Sequence, residues 1–314
     1  VFPLRLLRRL QAPQRPVDDA SVSLFRLGEQ CNNDCPMCSN SGRPQAFFQS
    51  AEILVGRVEF LARSGFKKVV VTGGEPTIHP GFWEIIGALN EQGIAWDINS
   101  HGRTFSDPEF AARARREGLG RAIISLHSHL VEPSCLISGM KEKGHHETVA
   151  GIQNLLDVGV FVMVNLVVTE HNRDHLVGFL DWCAERYGRD IVLKVAFPST
   201  TGKGGEWDGI QLRYQDVQDE VRAMRSRARE LGVRVAFESF PNCILDAPKA
   251  RNIGRSGFGE THYLDDITGD QVYPIQYIES VLSVFPESCQ SCRAVKRCRE
   301  RVHCPRSGWC SRSR

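Results

Sequence analysis

Three cysteines lie within eight residues, in the run CNNDCPMC: Cys31, Cys35 and Cys38, a C-x3-C-x2-C spacing. Three thiolates this close on one loop can hold three irons of a cubane and leave the fourth iron open for a ligand and for electron transfer. Zinc is the rival chemistry. Structural zinc takes four ligands, usually in two pairs. No fourth cysteine or histidine stands beside these three, so the spacing favours a cluster. Five more cysteines crowd the end of the chain, Cys289, Cys292, Cys298, Cys304 and Cys310, with His303 among them. Read alone, that set favours a zinc knuckle. Cys135, Cys183 and Cys243 are isolated.

Polar residues at the ends of apolar runs are the next candidates. Gly73 and Gly74 follow KKVVVTG-type apolar sequence; glycine lets backbone come close to a ligand, although a lone Gly-Gly is more often only a turn. Ser125 and His127 close the run RAIISLH, and Asn165 interrupts VFVMVNLVVT. A polar side chain inside such a run is buried and needs a partner.

The elements that must position these residues alternate. SVSLFRL, KKVVVTG, IAWDINS, RAIISLH, VFVMVNLVVT and DIVLKVAFP read as strands, each followed by an amphipathic helical stretch, and VRVAFES follows the last helix. Ser50 suits the N-cap of the first helix, and Asp107 with Pro108 opens another. Near-continuous apolar strands alternating with helices imply a parallel sheet covered on both faces. The fold expected is α/β, a partial (β/α)6 TIM-like barrel with a small cysteine-rich C-terminal extension. In such barrels reactive groups come from the loops after the strands, which is where the candidates above fall. The domains expected are an N-terminal arm at 1–20, the barrel at 21–240 and the cysteine-rich extension at 241–314. Cys183 falls on a helix and Cys135 in a loop.

Composition narrows the class. The chain has 314 residues, 41% of them apolar and 24% charged, which excludes general disorder. No stretch approaches the ~20 apolar residues of a membrane helix, and no secretory leader is visible. A cytoplasmic, reducing compartment is expected, so the odd total of 11 cysteines points away from disulfides. From Cys289 onward there are eight basic residues and one acidic, against a net charge of +2 for the whole chain. The body is therefore mildly acidic and the tail basic. Any nucleic-acid binding would run through that tail.

CNNDCPMC resembles the signature of the radical S-adenosylmethionine (radical SAM) superfamily. VVVTGGEPTIHP resembles its GGEP segment, and the stretch from ISLHSH to NLVVTEHN resembles its fourth and fifth strands. The resemblance covers residues 22 to about 235. It implies that Cys31, Cys35 and Cys38 ligate a [4Fe–4S] cluster and that SAM chelates the open iron. It implies further that the carbonyls of Gly73 and Gly74, and Glu75, accept from the SAM ammonium. By the same resemblance Ser125 and His127 face the ribose, Asn165 meets the ribose or carboxylate, and Met37, where relatives often carry an aromatic residue, touches the adenine. Relatives often read TNG where this chain reads NSHG; His101 is taken as local variation rather than as a substrate contact. The C-terminal spacing resembles a SPASM or twitch extension. On that resemblance Cys243, Cys289, Cys292 and Cys298 hold an auxiliary [4Fe–4S] cluster, leaving Cys304 and Cys310 unassigned.

The activity implied is reductive cleavage of SAM to a 5′-deoxyadenosyl radical that takes hydrogen from a substrate. A ribosomally made peptide is the first expectation for that substrate; a sugar, aminocyclitol or nucleoside is the second. With 30 residues before Cys31, a peptide would be presented by a separate recognition protein or by the barrel mouth. The electron would come from a reductant such as flavodoxin or ferredoxin, with no membrane and no nucleic acid as partner. The reading of another class is a non-catalytic iron–sulfur or zinc protein that binds a partner through its basic tail.

Overall fold

The computed structural model describes residues 21–39, 48–199, 202–241 and 244–245, and the backbone of two short strands at 261–264 and 272–274. The expectations for residues 1–20 and for Cys243, Cys289, Cys292, Cys298, Cys304 and Cys310 lie outside the described residues.

Seven strands pair in parallel in chain order: β1 (Val22–Arg26), β2 (Lys68–Thr72), β3 (Ala95–Ser100), β4 (Leu119–Ser125), β5 (Phe161–Val167), β6 (Val192–Ala196) and β7 (Arg234–Glu238). The helices are α1 (Ala51–Arg63), α2 (Phe82–Glu91), α3 (Pro108–Arg116), α4 (Val131–Ser138), α5 (Glu142–Asp157), α6 (Leu176–Tyr187) and α7 (Gln218–Leu231). This is the expected partial barrel. The run VRVAFES supplies a seventh strand to the expected six, because its apolar residues complete the row against β6. On the other side of β1 lies β8 (Thr261–Leu264), also parallel, and β9 (Val272–Pro274) returns antiparallel to it. The sheet thus continues past residue 240. Cys135 lies on α4 rather than in a loop; eight residues with no helical apolar period gave no sign of that helix in the sequence.

Local chemistry sets the boundaries. Ser50 Oγ accepts from the Ile53 N–H at 3.3 Å and starts α1. Asp107 Oδ1 accepts from the Glu109 N–H at 3.0 Å and starts α3, with Pro108 at the first helical position. Both are ordinary N-caps for groups the helix cannot satisfy itself.

Alternation along the strands gives the sheet two apolar faces. The outer face packs Phe25, Val69, Val71, Ile98, Ile124, Val164 and Leu193 against the helices. The inner face lines a lumen whose lower part is filled by Val22, Val70, Ile123, Met163 and Val192. Asp97, buried on β3 in register with Val70, takes Lys68 Nζ at 2.9 Å and Arg121 at 2.8 Å. The candidate site residues lie at the C-terminal ends of the strands, as in other barrels. Among the described residues no helix is long and apolar enough to cross a membrane.

Candidate active site

The loop carrying Cys31, Cys35 and Cys38 leaves the C-terminal end of β1. It has almost no regular structure of its own, so its shape comes from what it touches. The segment after β2 is the first support. The Gly74 N–H donates to Gly28 O at 2.9 Å and the Glu75 N–H to Gln30 O at 2.8 Å. A Cβ on Gly73 would stand 2.4 Å from Gly28 O, and one on Gly74 would stand 2.2 Å from Gln30 O. The two glycines are needed for the approach of the β2 turn to the cysteine loop. The ligand contact expected of them is left to their carbonyls.

Glu75 anchors that turn. Its buried carboxylate accepts from the Thr77 N–H at 3.1 Å, Thr77 Oγ1 at 2.6 Å, Ser100 Oγ at 2.9 Å and the His101 N–H at 2.8 Å. Four protein donors already use it, so its observed work is to bind β2 to β3.

His101 is a latch. Its Nδ1 accepts from the Arg103 N–H at 3.1 Å, and its Nε2 meets Asn32 Oδ1 at 2.5 Å. Burial lowers its pKa, which fits the neutral ring that this pattern requires: Nδ1 accepting, Nε2–H donating. Arg103 completes the clamp. Its NH1 donates to Asn32 O at 3.0 Å and to Asn33 Oδ1 at 2.9 Å, while Nε pairs with Glu147 on α5 at 2.7 Å.

The far side of the loop rests on α4. The Asp34 N–H donates to Gly139 O at 3.3 Å and Cys35 Sγ to Ser138 O at 3.3 Å. Gly139 ends α4 in the left-handed conformation (φ 56°), and a Cβ there would stand 2.0 Å from Asp34 O. Lys203 reaches over the loop, its N–H on Cys38 O and its Nζ on Asp34. Met37 is half-buried beneath the same 202–206 turn.

The three thiols are close neighbours. Cys35 is pushed up to about 12, first by burial and then by Cys38 and Cys31 beside it. Burial likewise raises Cys31, and bound metal would favour the thiolate form of both. Among the described residues no three His, Cys, Asp or Glu side chains converge on one metal ion. A cubane does not ask for that, since each thiolate binds its own iron.

Inside the lumen, Ser125, Asn165 and Lys194 share one register row across β4, β5 and β6. Asn165 Oδ1 is buried without a hydrogen-bond partner among the described residues. His127 sits just past β4, buried, its Nδ1 accepting from the Val167 N–H at 3.2 Å. The site therefore gathers three thiols, a glycine turn and unsatisfied polar atoms at one end of the barrel.

Residues 25–183 match the Radical SAM superfamily. The chain belongs to the radical SAM superfamily. Its curated relatives include proteins named probable GTP 3′,8-cyclase. One, from Saccharolobus islandicus, is 27% identical over 237 residues, covering 75% of each chain. Another, from Metallosphaera sedula, is 29% identical over 228 residues, covering 71% of this chain and 69% of the relative. Among solved structures, anSMEcpe with bound AdoMet and the Kp18Cys peptide superposes with a TM-score of 0.64 at 15% identity, over 89% of this chain and 88% of that one. Streptococcus suis SuiB bound to its precursor peptide SuiA gives 0.57 at 17% identity, over 75% of this chain. The chain spans about half of SuiB, 52% of its length. These structures share the radical SAM fold.

A [4Fe–4S] cluster and SAM are what this superfamily implies, and the residues present fit them. Three thiols on one loop answer the cluster, and the orphaned Asn165 Oδ1 answers a hydrogen-bonding ligand in the lumen. Sequence reasoning missed Asn32, Asn33, Arg103, Glu147, Gly139 and Lys203. Asn32 and Asn33 lie inside the CNNDCPMC run, where only the cysteines were given a role, and the other four carry no motif. Arg103 after β3, Glu147 on α5, Gly139 at the end of α4 and Lys203 in the 202–206 turn join the site only because those segments meet the cysteine loop.

The environment of His127 gives a pH signature. Burial lowers its pKa from 6.5 to about 4. Below the unfolded value the unfolded chain binds a proton that the folded chain refuses. Stability is then full above that value and falls as pH drops toward the folded one. From near-neutral pH to about pH 5, denaturant unfolding of the wild type is expected to lose about 2 kcal/mol more than His127→Gln, whose amide cannot titrate. Equal losses would show that His127 is solvated.

Proposed function

We propose that this radical SAM enzyme reductively cleaves SAM and takes a hydrogen atom from a small organic molecule held in the lumen. When bound, the cluster and SAM supply one chemistry, a 5′-deoxyadenosyl radical able to attack an unactivated C–H bond. The observation that carries the reading is the loop of Cys31, Cys35 and Cys38, held at the C-terminal end of β1 beside the Gly73–Gly74 turn.

The chain's own residues have separate tasks. Cys31, Cys35 and Cys38 hold three irons. The carbonyls of Gly73 and Gly74 would accept from the SAM ammonium, and Glu75 holds the turn that carries them. Ser125, His127 and Asn165 line the wall where the ribose and carboxylate would lie. With its Nδ1 occupied, His127 keeps its proton on Nε2 and acts there as a hydrogen-bond donor. Met37 offers a polarisable surface to the adenine.

A small-molecule substrate is placed ahead of a peptide. The relatives with alignable sequence are named for a nucleotide substrate, whereas the peptide-bound neighbours share the fold alone. The peptide-maturase reading, with a separate recognition protein, stands second. Flavodoxin or ferredoxin would deliver the electron.

Anaerobic reconstitution followed by SAM and dithionite is expected to yield 5′-deoxyadenosine and methionine. No cleavage from a chain with its three cysteines metallated would overturn the reading. The auxiliary cluster on Cys243, Cys289, Cys292 and Cys298 is part of the same proposal. About eight irons per chain are expected on reconstitution, and a Cys243→Ala chain should hold about half of them. About four irons with one zinc would instead mean that the tail is a zinc knuckle.

A further inference from the structure

The lumen contains an ion pair that the chemistry above does not use. Lys194 on β6 and Glu238 at the end of β7 pair with side chains 15% and 10% exposed. Lys194 stands in the same register row as Asn165, and Glu238 stands one row nearer the barrel mouth, opposite Ala196. The pair lies directly above the apolar packing of Ile123, Met163 and Val192. It therefore forms the polar edge of the cavity beside the wall assigned to SAM.

Two observations argue against a structural purpose. A buried ion pair rarely stabilises a fold better than apolar residues of the same size, and the rows beneath show that this lumen accepts apolar residues. In addition, Ser239, next to Glu238, adopts a left-handed backbone (φ 62°), the one non-glycine residue among those described to do so. Tyr214 Oη donates to Ser239 O at 3.0 Å and helps hold it there. Strain of this kind persists where surrounding structure over-determines a functional geometry.

The charges limit what the pair can hold. Arg26 pairs with Glu29, and Lys194 with Glu238; Lys68 and Arg121 are committed to Asp97. The described upper lumen carries no surplus of positive charge for a phosphate chain. It offers an acceptor instead, the carboxylate of Glu238 beside the Lys194 ammonium. A hydroxyl can donate to such a carboxylate and accept from a lysine at once.

We propose that Lys194 and Glu238 are the polar anchor of the substrate, and that they select a neutral polyhydroxylated small molecule over its phosphate esters. The proposal rests on the lumen being the substrate site of a radical SAM enzyme. It distinguishes this chain from its relatives named for GTP.

The test uses the reconstituted full chain with SAM present and equilibrium dialysis against ribonucleosides, hexoses and aminocyclitols, each beside its phosphate ester. A neutral compound is expected to bind at least about tenfold more tightly than its ester. Lys194→Met and Glu238→Met are each expected to weaken that binding about tenfold or more, because each leaves a buried charge unpaired. The double variant K194M/E238M separates fold from function. It is expected to melt higher than either single variant, since both charges are gone, yet to bind as weakly as they do. Wild-type binding by the double variant would show the pair to be structural and overturn the proposal. Preference for GTP or any phosphate ester, or binding of no neutral compound, would overturn it as well. Failure of the underlying reading shows separately, as absence of 5′-deoxyadenosine from wild-type chain with SAM and dithionite.

Discussion

A Gly74→Ala chain is expected to lose the site-differentiated cluster although all three of its ligating cysteines remain. The added methyl would stand 2.2 Å from Gln30 O and 2.4 Å from Glu29 O. Both are backbone atoms of the loop that leads into Cys31, so no flexible side chain can move aside. Either the β2 turn or the cysteine loop must shift, and the Gly74–Gly28 and Glu75–Gln30 hydrogen bonds are lost with it. Overpacking of this kind costs about 1–3 kcal/mol of stability. The larger effect falls on the thiols, which hold a cubane only within narrow geometry. Iron analysis after anaerobic reconstitution should show roughly four irons fewer than wild type, with SAM cleavage lost. A Gly74→Ala chain with wild-type iron content and cleavage would show that the turn does not shape the loop.

Arg103→Ala is the second large effect. One guanidinium holds the Asn32 carbonyl, the Asn33 side chain and Glu147. Charge-assisted hydrogen bonds are the strong ones, worth about 1.5–3 kcal/mol apiece. Without them the segment between Cys31 and Cys35 keeps the His101 latch on Asn32, the Lys203 contact to Asp34 and the α4 side, but loses its ties to the Asn32 carbonyl and the Asn33 side chain. SAM cleavage is expected to fall at least about tenfold, since a small misplacement near the reacting centre is amplified in rate. The cluster's reduction potential should become more negative, because a cation beside it is removed. Arg103→Lys should restore much of the potential but little of the rate, as lysine keeps the charge and loses the planar fork. Equal recovery of both would mean that Arg103 acts by charge alone.

How much of this was legible in the sequence differs between elements. The strands announced themselves because each is a short apolar run covered on both faces, a pattern that survives without partners. α1 and α3 were equally plain, through Ser50 and through Asp107 with Pro108, since a cap is a contact between residues two or three apart. α4 was not, having neither cap nor period; it is held by packing. Cys31, Cys35 and Cys38 were found because a cluster loop concentrates its ligands in one short segment. His101 was read as local variation, and its hydrogen bond to Asn32 shows a latch between positions 69 residues apart.

The same division runs through the chemistry. Ligand types, their spacing and the alternation that builds the barrel are local properties, so the chain alone determined the superfamily, the architecture and the three thiols at the end of β1. The rest required separated segments to meet. Only the tertiary structure seated the cysteine loop on Gly73 and Gly74, gave the Glu75 carboxylate its donors on β3, and set Lys194 against Glu238 inside the lumen. Those contacts join strands and turns tens of residues apart, and their energies depend on burial and distance, which no spacing along the chain records.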